Sequence, residues 1–114
     1  MGGASIPEDV ARVEASLNIV QSGQHLAVDA NAGFNRERAL AYAKALAPFK
    51  LKWFEEPADP LGYEVLTEFI AHYGAAVGTG ENLFSTSCLT GQALGLKRRI
   101  NCIRRCVHWF REHE

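Results

Sequence analysis

Val28-Asp29-Ala30-Asn31, Trp53-Phe54-Glu55-Glu56-Pro57 and Gly78-Thr79-Gly80-Glu81-Asn82 are three short segments in which an apolar or small-residue run closes on an acid. The acids Asp29, Glu55 and Glu81 recur every 26 residues, from 29 to 55 and from 55 to 81. A period of that length suits one strand, one helix and their two connections. The stretches between the acids read as helices, so the chain alternates strand and helix. Alternation of this kind predicts an α/β fold with a parallel sheet and crossover helices.

The flanking residues supply the helices. Ser5-Ile6-Pro7-Glu8 has the form of a capping box, with Pro in the first turn where its missing N–H is harmless. Val10, Val13 and Leu17 follow at helical spacing, and Ser22-Gly23 ends that segment. Residues 25–30, closing on Asp29 and Ala30, read as a first strand that His25 opens. Asn31–Phe34 is a loop, and Asn35 caps a helix to Leu46 with Ala39, Leu40, Ala43, Leu46 and Ala47 as its apolar stripe. Leu51–Phe54 reads as the second strand and Asp59-Pro60-Leu61-Gly62 as a turn. Tyr63–Tyr73 reads as a helix with Leu66, Phe69 and Ile70 inward, and Ala75–Thr79 as the third strand.

The spacing carries chemistry as well as topology. Equivalent residues on adjacent parallel strands lie about 5 Å apart. Three carboxylates at the C-terminal edge of a sheet repel one another unless a cation stands between them. Mg²⁺, a hard cation that prefers oxygen, is the simplest solution. Spacing by itself also leaves open that each acid merely begins a solvated loop. A dinucleotide fingerprint is a poor rival, because Leu83 stands where Gly78-x-Gly80 would need its third glycine.

The whole chain has 114 residues, 12 Lys plus Arg against 13 Asp plus Glu, for a net charge of −1. That balance gives no electrostatic case for nucleic acid or an anionic membrane as partner. No apolar run approaches the roughly 20 residues of a membrane span, and no secretory signal is visible. Three cysteines make no disulfide framework, so a reduced, cytoplasmic setting is expected. A complete barrel of eight strand–helix units needs about 250 residues, so only part of one fits here.

The near-neutral total hides two unlike parts. Residues 1–85 are acidic, whereas residues 86–114 are basic and hold all three cysteines, Cys88, Cys102 and Cys106. Ile100, Ile103, Val107 and Phe110 keep helical spacing among arginines, which predicts a basic amphipathic tail helix able to serve as a small interaction module. Cys102-x-x-x-Cys106-x-His108, with Cys88 or His113, invites a zinc site, but the spacing matches no familiar zinc pattern. The charge reversal also fits a frameshift origin for the tail, which translation of the other reading frames would test.

Taken together, the three acid-closed segments resemble the enolase superfamily, in its mandelate racemase and muconate-lactonising branch. Gly80-Glu81-Asn82-Leu83-Phe84-Ser85, with residues 41–46 and Glu55-Glu56-Pro57-Ala58-Asp59-Pro60-Leu61, is most similar to the D-tartrate dehydratases of that branch. The resemblance covers residues 2–85 and implies a partial TIM-type barrel. It implies that Asp29, Glu55 and Glu81 hold Mg²⁺, that Asn31 faces the substrate, and that Glu56 and Asn82 support the site from behind. It further implies a hydro-lyase: Mg²⁺ binds the carboxylate of D-tartrate or another acid sugar, the α-proton is abstracted, and the enediolate is stabilised.

The family's Lys and His bases have no counterpart here. Lys44, Lys50, Lys52 and Lys97 stand away from strand C-termini, and His25, His72, His108 and His113 match no family position. The base and acid are therefore expected outside this chain, and the chain alone is expected to be inactive or a remnant. An unclosed sheet also leaves bare edges, which favour self-association.

Overall fold

The computed structural model describes residues 1–80, and the basic tail with its cysteines lies outside the described residues. Three helices and three short strands alternate along them. Helix α1 spans Ile6–Val20, strand β1 Ala27–Asp29, α2 Arg36–Leu46, β2 Trp53–Glu55, α3 Tyr63–Tyr73 and β3 Val77–Gly78. The strands form one parallel sheet in the order β1-β2-β3, so each crossover helix links neighbouring strands. The α/β expectation holds.

Local chemistry sets the helix boundaries. The Ser5 hydroxyl accepts the Glu8 N–H while the Glu8 carboxylate accepts the Ser5 N–H, the reciprocal pair predicted from the sequence. The Asn35 side chain accepts the Arg38 N–H and starts α2. Gly74, at φ 74°, closes α3 in the left-handed conformation that glycine adopts without strain.

The strands differ from the sequence reading at their ends. His25 does not open β1, because residues 23–25 form a 3₁₀ turn in which the Ser22 hydroxyl accepts the Gln24 N–H. Gly23 is required there: a Cβ would stand 2.1 Å from the Phe49 carbonyl oxygen. β2 begins at Trp53, not Leu51, and reaches Glu55. β3 is confined to Val77–Gly78 within the predicted 75–79.

The core lies between the sheet and helices α2 and α3. Phe54 is its centre, with edge-to-face contacts to Phe69 at 5.0 Å, Tyr73 at 5.8 Å and Phe34 at 6.4 Å between ring centroids. Phe34 in turn stacks on Tyr42 at 4.3 Å. The buried positions of α2 are Ala39, Tyr42, Ala43 and Leu46, so Tyr42 belongs to the stripe while Leu40 and Ala47 lie at its margin. Among the described residues no helix is long and apolar enough to cross a membrane.

Candidate metal centre

Asp29 and Glu55 are the last residues of β1 and β2, and the register pairs them directly across the ladder. Ala27 opposes Trp53, Val28 opposes Phe54 and Asp29 opposes Glu55. Two of the three predicted carboxylates therefore stand side by side at the C-terminal edge of a parallel sheet, the edge where such folds assemble their sites.

The third strand does not continue the pattern. Glu55 pairs with Gly78, which is 23 residues on rather than 26. The equal sequence spacing of the acids is thus not an equal register, and the expectation of three carboxylates in one row is corrected. Glu81 follows Gly78 by three residues, and both Glu81 and Asn82 lie outside the described residues. Among the described residues no three His, Cys, Asp or Glu side chains gather closely enough to hold a metal ion.

Neutral donors orient the two open carboxylates. Asp29 Oδ1 accepts the Asn31 N–H at 2.7 Å, and Glu55 Oε2 accepts the Trp53 indole N–H at 3.1 Å. The ion pairs among the described residues are Arg12–Asp9 and Arg36–Glu68, so no cationic side chain neutralises Asp29 or Glu55 there. The N-terminal ammonium of Met1 donates to the Asp29 backbone carbonyl rather than to its carboxylate, and two adjacent carboxylates without a side-chain ion pair are a chemical fit to a hard divalent cation.

Glu56 behaves differently from its neighbour. Its side chain is 1% exposed, and Oε1 accepts the Gly80 N–H at 2.7 Å and the Thr79 hydroxyl at 3.4 Å. Its backbone N–H donates to the Gly78 carbonyl, and its own carbonyl accepts the Ala32 N–H. Glu56 so joins the segments leaving all three strands. Its φ is 45°, and Asn31 and Ala32 stand at 49° and 56°. Left-handed conformations at three non-glycine residues cost energy and concentrate where loops must be held in one shape. Asn31, two residues after Asp29, is exposed.

Lys44 is exposed on α2, Lys50 and Lys52 precede β2, and His72 is exposed on α3. None of these four stands at a strand C-terminus, and Lys97, His108 and His113 lie outside the described residues. Trp53 was not foreseen as a site residue. The signal was present in its position two residues before Glu55, which puts both side chains on one face of the strand.

Comparison with known proteins identifies the family and the fold. The sequence is 36% identical over 83 residues to the 3,6-anhydro-alpha-L-galactonate cycloisomerase of Streptomyces coelicolor, covering 73% of this chain and 23% of that protein. The fold superposes on a Streptomyces coelicolor racemase with bound magnesium at a TM-score of 0.73 and 31% identity, covering 83% of this chain and 28% of that one. It superposes on an L-talarate dehydratase from Polaromonas complexed with Mg and L-glucarate at a TM-score of 0.74 and 28% identity, covering 83% and 27%. The chain thus spans about a quarter of the length of each. The Enolase C-terminal domain-like signature matches residues 1–90, and the chain belongs to that family of the enolase superfamily.

Proposed function

We propose that residues 1–85 are the metal-ligand segment of a Mg²⁺-dependent acid-sugar hydro-lyase, built as part of a TIM-type barrel. The observation that carries this is the pairing of Asp29 with Glu55 at adjacent strand ends, each oriented by a neutral N–H. Glu81 completes the ligand set in this proposal, with Asn82 beside it. The Polaromonas relative, complexed with Mg and L-glucarate, supports a sugar dicarboxylate as substrate class. D-tartrate is the member proposed within that class, from the sequence of residues 41–46, 55–61 and 80–85.

Mg²⁺, when bound, supplies positive charge opposite the negative charge that grows on a substrate carboxylate as its α-proton leaves. The residues of this chain bind and orient. Asp29 and Glu55 hold the ion through carboxylate oxygens. Asn31, exposed beside Asp29, offers an amide to a substrate hydroxyl or carboxylate. Glu56 fixes the Thr79-Gly80 backbone from which Glu81 departs. The proton-transfer groups belong to other strands of the barrel in this proposal.

Calorimetric titration of the 114-residue chain with Mg²⁺ tests the metal assignment. Asp29→Asn, Glu55→Gln and Glu81→Gln are each expected to weaken binding tenfold or more, while the fold is retained by circular dichroism. Equal Mg²⁺ binding by the unaltered chain and by Glu55→Gln would overturn it. Titration of the Mg²⁺-saturated chain with D-tartrate and with galactarate tests the substrate, with tighter binding of D-tartrate expected.

A further inference from the structure

We infer that Trp53 is the positioning residue for Glu55, a role that rests on the metal assignment above. Residues 53 and 55 share one face of β2, because side chains alternate along a strand. The indole N–H reaches Glu55 Oε2 at 3.1 Å. Its register partner on β1 is Ala27, whose methyl leaves room for a large ring beside it. The ammonium of Lys52 lies 5.1 Å from the ring centroid of Trp53, so a nearby positive charge rests on the indole.

The chemistry of the donor decides its function. An indole has a single N–H, no acceptor and no charge. It fixes the torsions of Glu55 without cancelling the negative charge that a cation requires. An Arg or Lys in the same place would orient the carboxylate too, but as an ion pair that competes with the metal. Trp53 engages Oε2, and among the described residues Oε1 takes no hydrogen bond, which leaves that oxygen to the cation. Groups that orient a metal ligand in this way typically carry about 10- to 100-fold in metal affinity.

The test uses the 114-residue chain carrying Trp109→Phe, so that Trp53 is its remaining tryptophan. Trp53 fluorescence is expected to change on Mg²⁺ addition, with the same midpoint as the calorimetric titration. Trp53→Phe is expected to weaken Mg²⁺ binding about tenfold without moving the unfolding midpoint measured in EDTA, and Trp53→His, which keeps an N–H, to recover part of the loss. Wild-type Mg²⁺ affinity in Trp53→Phe, with Glu55→Gln impaired, would overturn the positioning role and leave the metal assignment intact. Wild-type affinity in Glu55→Gln would overturn both. Should Trp53→Phe not fold, the proton resonance of the Trp53 indole N–H decides the matter with residue 53 unchanged. It is expected to move upfield in Glu55→Ala, and an unmoved resonance would overturn the role.

Discussion

Two regions of the molecule hold carboxylates in opposite ways. Under helices α1 and α2, Asp9 is wholly buried and accepts the Gly2 N–H and the Tyr42 hydroxyl at 2.7 Å each, with the Arg12 guanidinium at 3.1 Å. At the sheet edge, Asp29 is exposed and Glu55 half-buried, and they accept one neutral N–H apiece. The buried carboxylate accepts three hydrogen bonds from the protein across both of its oxygens, and its charge is matched by Arg12. The pair at the edge keep free oxygens and, among the described residues, form no ion pair with a side chain. A saturated carboxylate makes structure, and an unsaturated one is available to a ligand. Glu56 confirms the contrast from one residue away, since it is buried and bonded to Gly80 and Thr79.

The largest effect is expected at the buried end of this contrast. Asp9→Ala strands the Tyr42 hydroxyl and the Gly2 N–H, and should cost about 3 kcal/mol in urea unfolding. It should also loosen the N-terminal segment, which Arg38 holds through the Gly2 and Ala4 carbonyls. A loss below about 0.5 kcal/mol, the level of an ordinary surface change, would show that Asp9 is no keystone.

Acid should reproduce part of that loss. Burial opposes ionisation of Asp9, but the Gly2 N–H, the Tyr42 hydroxyl and Arg12 outweigh it, and its carboxyl is held below the ordinary 3.8. A depressed folded value means that ionised Asp9 stabilises the fold fully above 3.8, and that this stability disappears as pH falls through the lower folded value. The same bond raises Tyr42, where burial is the larger cause and Asp9 the next. Unfolding midpoints should therefore be flat near neutrality and fall below about pH 4, and Asp9→Ala should flatten that acid limb. Tyr42→Phe removes one donor of the set and should cost about 1.5 kcal/mol.

What could be read from the sequence divides along the same physical line. The helix ends were legible because Ser5, Glu8 and Asn35 act on backbone groups within three residues of themselves. The pairing of Asp29 with Glu55 was legible because one strand–helix unit separates them. Strand ends were not, because an apolar run outlasts its ladder: Leu51 is buried yet lies before β2. The row of three acids failed because β2 and β3 are offset by 23 residues while β1 and β2 are offset by 26, and sequence spacing is blind to loop length within a unit. Tyr42 was recoverable, since Ala39, Tyr42, Ala43 and Leu46 follow helical spacing more closely than the stripe drawn through Leu40 and Ala47. Trp53 was hidden for another reason. Its position two residues before Glu55 puts it on the same strand face, but its partner is a carboxylate whose own role comes from a neighbouring strand.

The smallest expected effect on stability is the most informative one. Asp29 and Glu55 are like charges directly opposite each other on adjacent strands, an arrangement that destabilises a sheet by about 0.2–1 kcal/mol. Solvent screens much of that repulsion, since both side chains reach water. Glu55→Gln keeps the shape and an acceptor for the Trp53 N–H while removing one charge. In EDTA it should leave stability unchanged or raise it by up to about 0.5 kcal/mol, a sign opposite to that of Asp9→Ala. With Mg²⁺ present the order should reverse, because a ligand that binds only the folded state stabilises the unaltered chain in proportion to its affinity. Unfolding curves of the two proteins, with and without Mg²⁺, should therefore cross. If Glu55→Gln is destabilising in EDTA, the open carboxylate is part of the scaffold, and the distinction between a saturated and an available acid does not hold at this edge.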